Sequence, residues 1–203
     1  MPRSTKRLGE IKMNILIAIP TFETVSIETF KSIYNLKIPD DCKVTFDCIK
    51  GYGAAQARNK IARQCVNGFD AVLMVDSDVI LPKNTLELLS EGNTPIVLGT
   101  YPRKNEPDIA EIFLPGTNDF TKRISYADMP NGRFKAKGGG MGCALVRREC
   151  FEKLSYPWFD YVEYPNGQLL SEDNYFCDIA AKRGLKIEAD GRVRCGHIAK
   201  QIV

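Results

Sequence analysis

Two aspartates, Asp76 and Asp78, end a run of apolar residues in VLMVDSDVIL, residues 72–81. On an extended strand end, residues i and i+2 point the same way, so both carboxylates converge while Ser77 faces elsewhere. Converging carboxylates repel unless a proton or cation lies between them. A hard divalent ion, Mg2+ or Mn2+, that also holds diphosphate oxygens is the natural partner. Two aspartates there would also serve as plain caps of a following helix, and so short a motif does not decide alone. A second acidic pair, Glu172–Asp173, opens SEDNYFCDIAAKRGL. The helix dipole favours acids in a first turn by roughly 0.3–1 kcal/mol each. A base role requires more: one acid facing a cleft, within reach of a hydroxyl. His197 is the only histidine and follows a turn glycine near the last apolar segment. It is a surface residue or a metal ligand. Trp158, the only tryptophan, sits in YPWFDY, which suits core filling or stacking on a sugar ring.

Two glycine-rich stretches invite comparison with phosphate loops. KGGGMG has no Gly-Lys-Ser/Thr after it, so it is not a Walker loop. GYGAAQ imitates a dinucleotide fingerprint but carries Gln56 where the third glycine belongs, and it follows the second strand, not the first.

The elements that position these residues follow from periodicity. NILIAI (14–19) is a compact apolar strand ended by Pro20. Residues 26–36 set Ile27, Phe30, Ile33 and Tyr34 at helical spacing, and KVTFDCI alternates Val44, Phe46 and Cys48 as a strand. AAQARNKIARQCV places Ala57, Ile61 and Cys65 on one helical face; AVLMV, a short helix from Pro82 to Ser90, and PIVLG follow. This β-α-β-α-β-α-β order argues for an α/β fold with a mostly parallel, twisted sheet flanked by helices. The Asp76 pair then falls at the carboxyl end of a buried strand, where such sheets bind ligands. The second half is less regular. IAEIFL and CALV read as strands, 147–154 as a short helix, and 171–185 as a helix capped by Ser171, striped by Phe176, Ile179 and Ala180, and ended by Gly184. KIEA and RVRCGHI close the chain as strands. The expected organisation is a flexible basic arm over 1–12 and a single domain over 13–203.

With 203 residues, 44% hydrophobic and 26% charged, the composition is that of a globular domain. A net charge of +3 is too small to argue for nucleic acid, and it accommodates an anionic substrate. Seven cysteines with no C-x-x-C pair point to free thiols in a reducing, cytoplasmic setting, with no structural zinc. No segment has the length of a membrane span.

IAIPTFE, GAAQARNKIARQCVNGFDAVLMVDSDVIL, GGGMGCALVRREC, PWF and SEDNYFCDIAAKRGLKIEADGRVRCGHI follow one another as in GT-A-fold glycosyltransferases, and the chain resembles family-2-like ones in particular. The resemblance runs from about residue 14 to 198 and lies in order and spacing, not in one motif. It implies a nucleotide-binding first half and an enzyme that transfers a sugar from a nucleotide-diphosphate donor, UDP-linked by preference, with Mn2+ or Mg2+. Pro20, Thr21 and Glu23 would lie near the base; Arg58 and Asn59 beneath the nucleotide, with Arg58 pairing to phosphate or base. Asp76, with Ser77 beside it, would approach the ribose and the metal, Asp78 would bind the metal, and His197 would complete its shell. Gly138, Gly139 and Gly140 would line the donor sugar, with Trp158 in sugar contact. Glu172 and Asp173 would hold the acceptor, Asp173 being favoured as base.

The resemblance leaves the acceptor open among glycans, proteins, lipid-linked sugars and modified DNA, the last kept by the basic stretches RKN (103–105) and RFKAK (133–137). Inversion and retention also stay open. A nucleotidyltransferase would want a glycine-rich basic loop after the first strand, which IPTFETVS lacks. A non-catalytic nucleotide-sugar-binding module would keep Asp76 and Asp78 without needing Asp173.

Overall fold

The structure is a computed structural model describing residues 13–116, 120, 122–165 and 167–199. The stretch 1–12, read above as an arm, lies outside the described residues. The first half alternates as its periodicity requires: β1 (Met13–Thr21), α1 (Ile27–Tyr34), β2 (Cys42–Lys50), α2 (Ala54–Gly68), β3 (Ala71–Val75), the short β4 (Val79–Ile80), α3 (Thr85–Ser90) and β5 (Ile96–Thr100). A small antiparallel group follows, made of β6 (Pro102–Arg103), β7 (Glu106–Phe113), β8 (Arg123–Ser125) and β10 (Gly138–Gly139), while β9 (Arg133–Lys135) between them joins the main sheet beside β14. The chain then returns through β11 (Cys143–Arg147), α4 (Arg148–Lys153), β12 (Val162–Glu163), β13 (Leu169–Leu170), α5 (Glu172–Lys182), β14 (Ile187–Arg194) and β15 (Gly196–His197).

Seven strands form the main sheet in the order β2-β1-β3-β11-β5-β14-β9. β1, β2, β3, β5 and β14 share one direction; β11 and β9 run against them. All five residues of β3 are buried, as a central strand covered on both faces must be. α2 packs Ile61, Ala62 and Cys65 on one face of the sheet, together with Phe176 and Ala180 of α5; Ile33 and α3 cover the other face. Ser171 caps α5 by accepting from Asn174 N, and Gly184 follows its end at φ +73°.

Three expectations change. KIEA and RVRCGHI are not two full strands: 187–194 is one strand, and a short β15 follows. The α1 stripe is not core: Ile33 is buried, but Ile27, Phe30 and Tyr34 are 62%, 52% and 81% exposed. On β2, Phe46 and Cys48 are also exposed, because β2 is the outermost strand of the sheet among the described residues.

The site residues gather at one rim for a topological reason. β1, β3 and β5 end there, β14 runs out there into His197, and the reversed β11 begins there, with Cys143 beside Val75. The loop 138–142 is thereby brought against Asp76, whose N–H donates to Gly142 O at 3.0 Å.

Candidate active site

Past Val75 the chain turns instead of staying extended: Val79 N donates to Asp76 O, Ser26 N to Ser77 O and Ile198 N to Asp78 O. The alternation rule therefore does not apply at this point, and the two aspartates take separate partners. Arg58 Nη2 of α2 donates to Asp76 Oδ1 at 3.0 Å. Lys104 Nζ donates to Asp78 Oδ2 at 2.5 Å, and His197 Nε2 lies 3.5 Å from Asp78 Oδ1.

Arg58 is the hub of a buried acidic cluster. It is 3% exposed, and besides Asp76 it lies 2.9 Å from Asp173 Oδ1 and 3.6 Å from Glu172 Oε1. Its Nε is close to Asp173 without being aimed at it, and Nε and Nη1 have no hydrogen-bond partner. Three carboxylates thus surround one guanidinium. Burial alone would weaken the Arg58 charge, but Asp173, Asp76 and Glu172 outweigh it and raise its pKa further. Burial pushes the Asp173 carboxyl up to about 7; Arg58 opposes this, while Glu172 and Asp76 add to it. Asp173 Oδ2 accepts from Met141 N at 3.0 Å, which fixes the carboxylate against the glycine-rich loop.

Two cavities meet at this cluster. One, of about 400 Å³, is lined by Pro20, Thr21, Phe22, Tyr52, the first turn of α2 at Gly53 and Ala54, Arg58 and Ser77. The other, of about 410 Å³, is lined by Tyr101, Lys104, Glu111, Arg123, Gly140, Asn174 and His197. Asp76, Asp78 and Asp173 belong to both.

Burial alone would raise the Asp78 carboxyl, but hydrogen bonds from His197 and Lys104 hold it at about 2. Burial would lower the His197 pKa; Asp78 and Pro102 O raise it. His197 Nδ1 lies 2.7 Å from Pro102 O, a pure acceptor, so Nδ1 carries a proton. Nε2 then faces Asp78 across a gap that a proton or a metal ion must bridge. A carboxylate and an imidazole nitrogen suit Mn2+ or Mg2+ with further oxygens from substrate and water. Asp76 turns away to Arg58, and no group of three or more His, Cys, Asp or Glu side chains forms a closed metal cage among the described residues.

Other expected residues are placed differently. Trp158 is core, not a sugar contact: it is 8% exposed, and its Nε1 donates to Phe151 O at 2.9 Å. Glu23 is exposed and lines neither cavity. Asn59 lies beneath the site as a clamp, donating to Phe159 O and accepting from Trp158 N and Phe159 N. Gly138 and Gly139 are buried; a Cβ on Gly139 would come within 2.6 Å of Glu111 O, so strand packing requires this glycine. Gly140 does reach the cleft, where a Cβ would overlap the Tyr101 hydroxyl.

Sequence reading missed Tyr101, Phe22 and Tyr52. Tyr101 is buried, and its hydroxyl accepts from Gly142 N at 3.2 Å. Burial, then Asp76 and Asp173, raise its pKa, so it stays protonated. Nothing in its neighbourhood, TYPRKN, marks it as a site residue. Tyr52 was signalled: an aromatic at the tip of a GYG turn beside a strand end has no core to fill.

The fold is that of GT-A enzymes: a mixed α/β domain with a mostly parallel seven-stranded sheet. The chain aligns with A197 from STIV at a TM-score of 0.64 and 19% identity, over 93% of this chain and 87% of that one. It aligns with GalNAc-T7, solved with UDP, GalNAc and Mn2+, at 0.58 and 14% identity, and with TarS 1-349 of S. aureus, solved with UDP-GlcNAc, at 0.50 and 14% identity. Both alignments cover 93% of this chain but only 44% of GalNAc-T7 and 60% of the TarS chain. No protein-family profile matches the sequence, and no curated protein matches it. No helix among the described residues is long and apolar enough to cross a membrane.

Proposed function

We propose that the protein is a metal-dependent glycosyltransferase that moves a sugar from a UDP-linked donor to an acceptor hydroxyl. The observation that carries this reading is the position of the acidic cluster: Asp76, Asp78 and Asp173 line two adjoining cavities at the strand ends, and three acids share one buried arginine. Such a cluster is short of positive charge, and a divalent cation complements it.

The first cavity suits the donor. Phe22 and Tyr52 offer aromatic faces to a base, and the N-terminus of the 15-residue α2 adds a positive dipole end near the diphosphate. Pro20, Thr21 and Ser77 complete the nucleotide side. GalNAc-T7 and TarS were solved with UDP and UDP-GlcNAc, which supports the choice of base. Asp78 and His197 would hold Mn2+ or Mg2+, which when bound neutralises charge on the departing diphosphate. Gly140 lines the second cavity, where the Tyr101 hydroxyl fills the space a side chain would take.

The second cavity receives the acceptor. Asp173 takes the acceptor proton as the hydroxyl oxygen bonds to the anomeric carbon and the bond from that carbon to diphosphate breaks; this gives inversion. A carboxyl with a pKa of about 7 is matched to that task at neutral pH. Glu172 sets the charge on Arg58 and Asp173, and Arg58 orients Asp173 and Asp76 from beneath. Phe22–Val25 after β1 contains neither a glycine nor a basic residue, which disfavours nucleotidyl transfer.

A thermal-shift panel of nucleotide sugars with and without Mn2+ tests this reading. One UDP-sugar should stabilise the protein only with the ion, and Asp78→Asn should abolish that gain. Binding indifferent to the ion would overturn it.

A further inference from the structure

The α1 stripe and the outer edge of β2 carry a core-like pattern that a single chain leaves in solvent. Phe30 meets Phe46 edge-to-face at 6.4 Å, with Ile27 and Tyr34 exposed on the same helix. β2 is nine residues long and outermost in the sheet. Among the described residues nothing pairs with its outer edge, and an unpaired edge of that length is a template for pairing with another strand.

The backbone phase of β2 is fixed by its two ends. Met13 N donates to Asp41 O, and Gly51 N donates to Thr21 O, so odd-numbered positions turn toward β1. Alternate residues of a parallel ladder turn the other way. Val44, Phe46 and Cys48 therefore direct N–H and C=O outward, although Asp47 Oδ1 accepts from Cys48 N at 2.8 Å in the single chain. Val44 and Phe46 form the open centre of the edge.

We propose that this edge pairs antiparallel with β2 of a second copy of the chain, about a two-fold axis at Thr45. The occupant follows from charge. An axis at Thr45 sets Lys43 opposite Asp47 of the second copy, whose Oδ2 accepts from Gln64 Nε2 at 2.7 Å in the single chain, and the pair occurs twice by symmetry. The same axis sets Val44 opposite Phe46, the outward positions that exchange backbone hydrogen bonds. Other registers lose this match. An axis at Val44 sets Lys43 opposite Thr45, and one at Phe46 sets it opposite Ile49, so neither gives the lysine a facing acid. Axes at Lys43 or Asp47 put a residue opposite its own like charge. Opposite charges directly across strands stabilise, and like charges destabilise. The pairing joins the two seven-stranded sheets into one and brings the exposed Phe46–Phe30 edge of each copy to the seam. The strands run antiparallel, so the two clefts open at opposite ends and stay accessible.

Sedimentation equilibrium of the full chain tests the proposal. The wild type should be a dimer at micromolar concentration. Lys43→Asp and Asp47→Lys should each raise the dimer dissociation constant by about tenfold or more, as like charges come to face each other. An equimolar mixture of the two variants should regain the dimer, because each mixed pair is again opposite in charge. Val44→Pro removes an outward N–H while sparing the ladder to β1, and should give a monomer with an unchanged circular dichroism spectrum. A chain that is monomeric throughout, a dimer indifferent to these changes, or a variant mixture that stays monomeric overturns it.

Discussion

Arg58 Nη2 donates to Asp76 Oδ1 at 3.0 Å, so the carboxylate that closes β3 is held by a side chain of α2. The same guanidinium also touches Asp173 and Glu172. One residue therefore ties together Asp76 and Asp173, which line both cavities.

Arg58→Met should cost about 3–5 kcal/mol of stability, since it leaves buried acids without their counter-charge. Arg58→Lys should cost less, keeping the charge while losing the forked geometry. Urea unfolding measures both. A loss below ~1 kcal/mol for the methionine variant would mean that the guanidinium does not hold the cluster.

Asp173→Asn should lower transfer by about 10²–10⁴-fold while leaving Mn2+-dependent UDP binding intact. In the wild type, kcat should climb as pH passes about 7, where Asp173 loses its proton. The stability effect has the opposite sense. The folded carboxyl keeps a proton that the unfolded chain has lost above roughly pH 4. Stability therefore declines as pH rises from there through about 7, and the asparagine variant should lack that decline. Transfer that survives in the variant removes Asp173 from the base role.

Lys104 occupies Asp78 Oδ2, the oxygen a metal ion would also use. Lys104→Met should tighten Mn2+ binding about 1.4- to fivefold in the absence of nucleotide, the equivalent of the roughly 0.2–1 kcal/mol of a half-exposed ion pair. Titration calorimetry reads this directly. Unchanged affinity would show that the ammonium group and the ion do not compete.

Tyr52→Ala should weaken UDP binding by about 1–3 kcal/mol if its ring stacks on the base. Tyr52 is exposed at a turn, so the melting temperature should hold. Equal loss of affinity for UDP and for pyrophosphate would place the effect on the diphosphate and not on the base.

Legibility varied with how local the deciding forces were. β3 and α2 could be read directly because their burial follows a period: Ala71–Val75 are all buried, and Ala57, Ile61 and Cys65 line one face. The position of Asp76 and Asp78 at a strand end followed from the same pattern. Their partners did not, because Arg58, Lys104 and His197 come from three separate segments that only the sheet order brings together. Trp158 and Gly139 misled for a related reason. A tryptophan among aromatics and a glycine in a run fit a sugar site or a tight core equally well, and only neighbours distant in sequence, Phe151 O and Glu111 O, distinguish the two.

The sequence by itself determined the alternation of strands and helices, the apolar centre of the sheet, and the chemical types collected at its rim, since each depends on spacing along one segment. Only the tertiary structure decided which acid meets which cation. The reversed β11 carries the glycine-rich loop to Asp76 and Asp173, and α2 carries Arg58 beneath them. Ion pairing depends on distance through space, which an amino-acid order does not state.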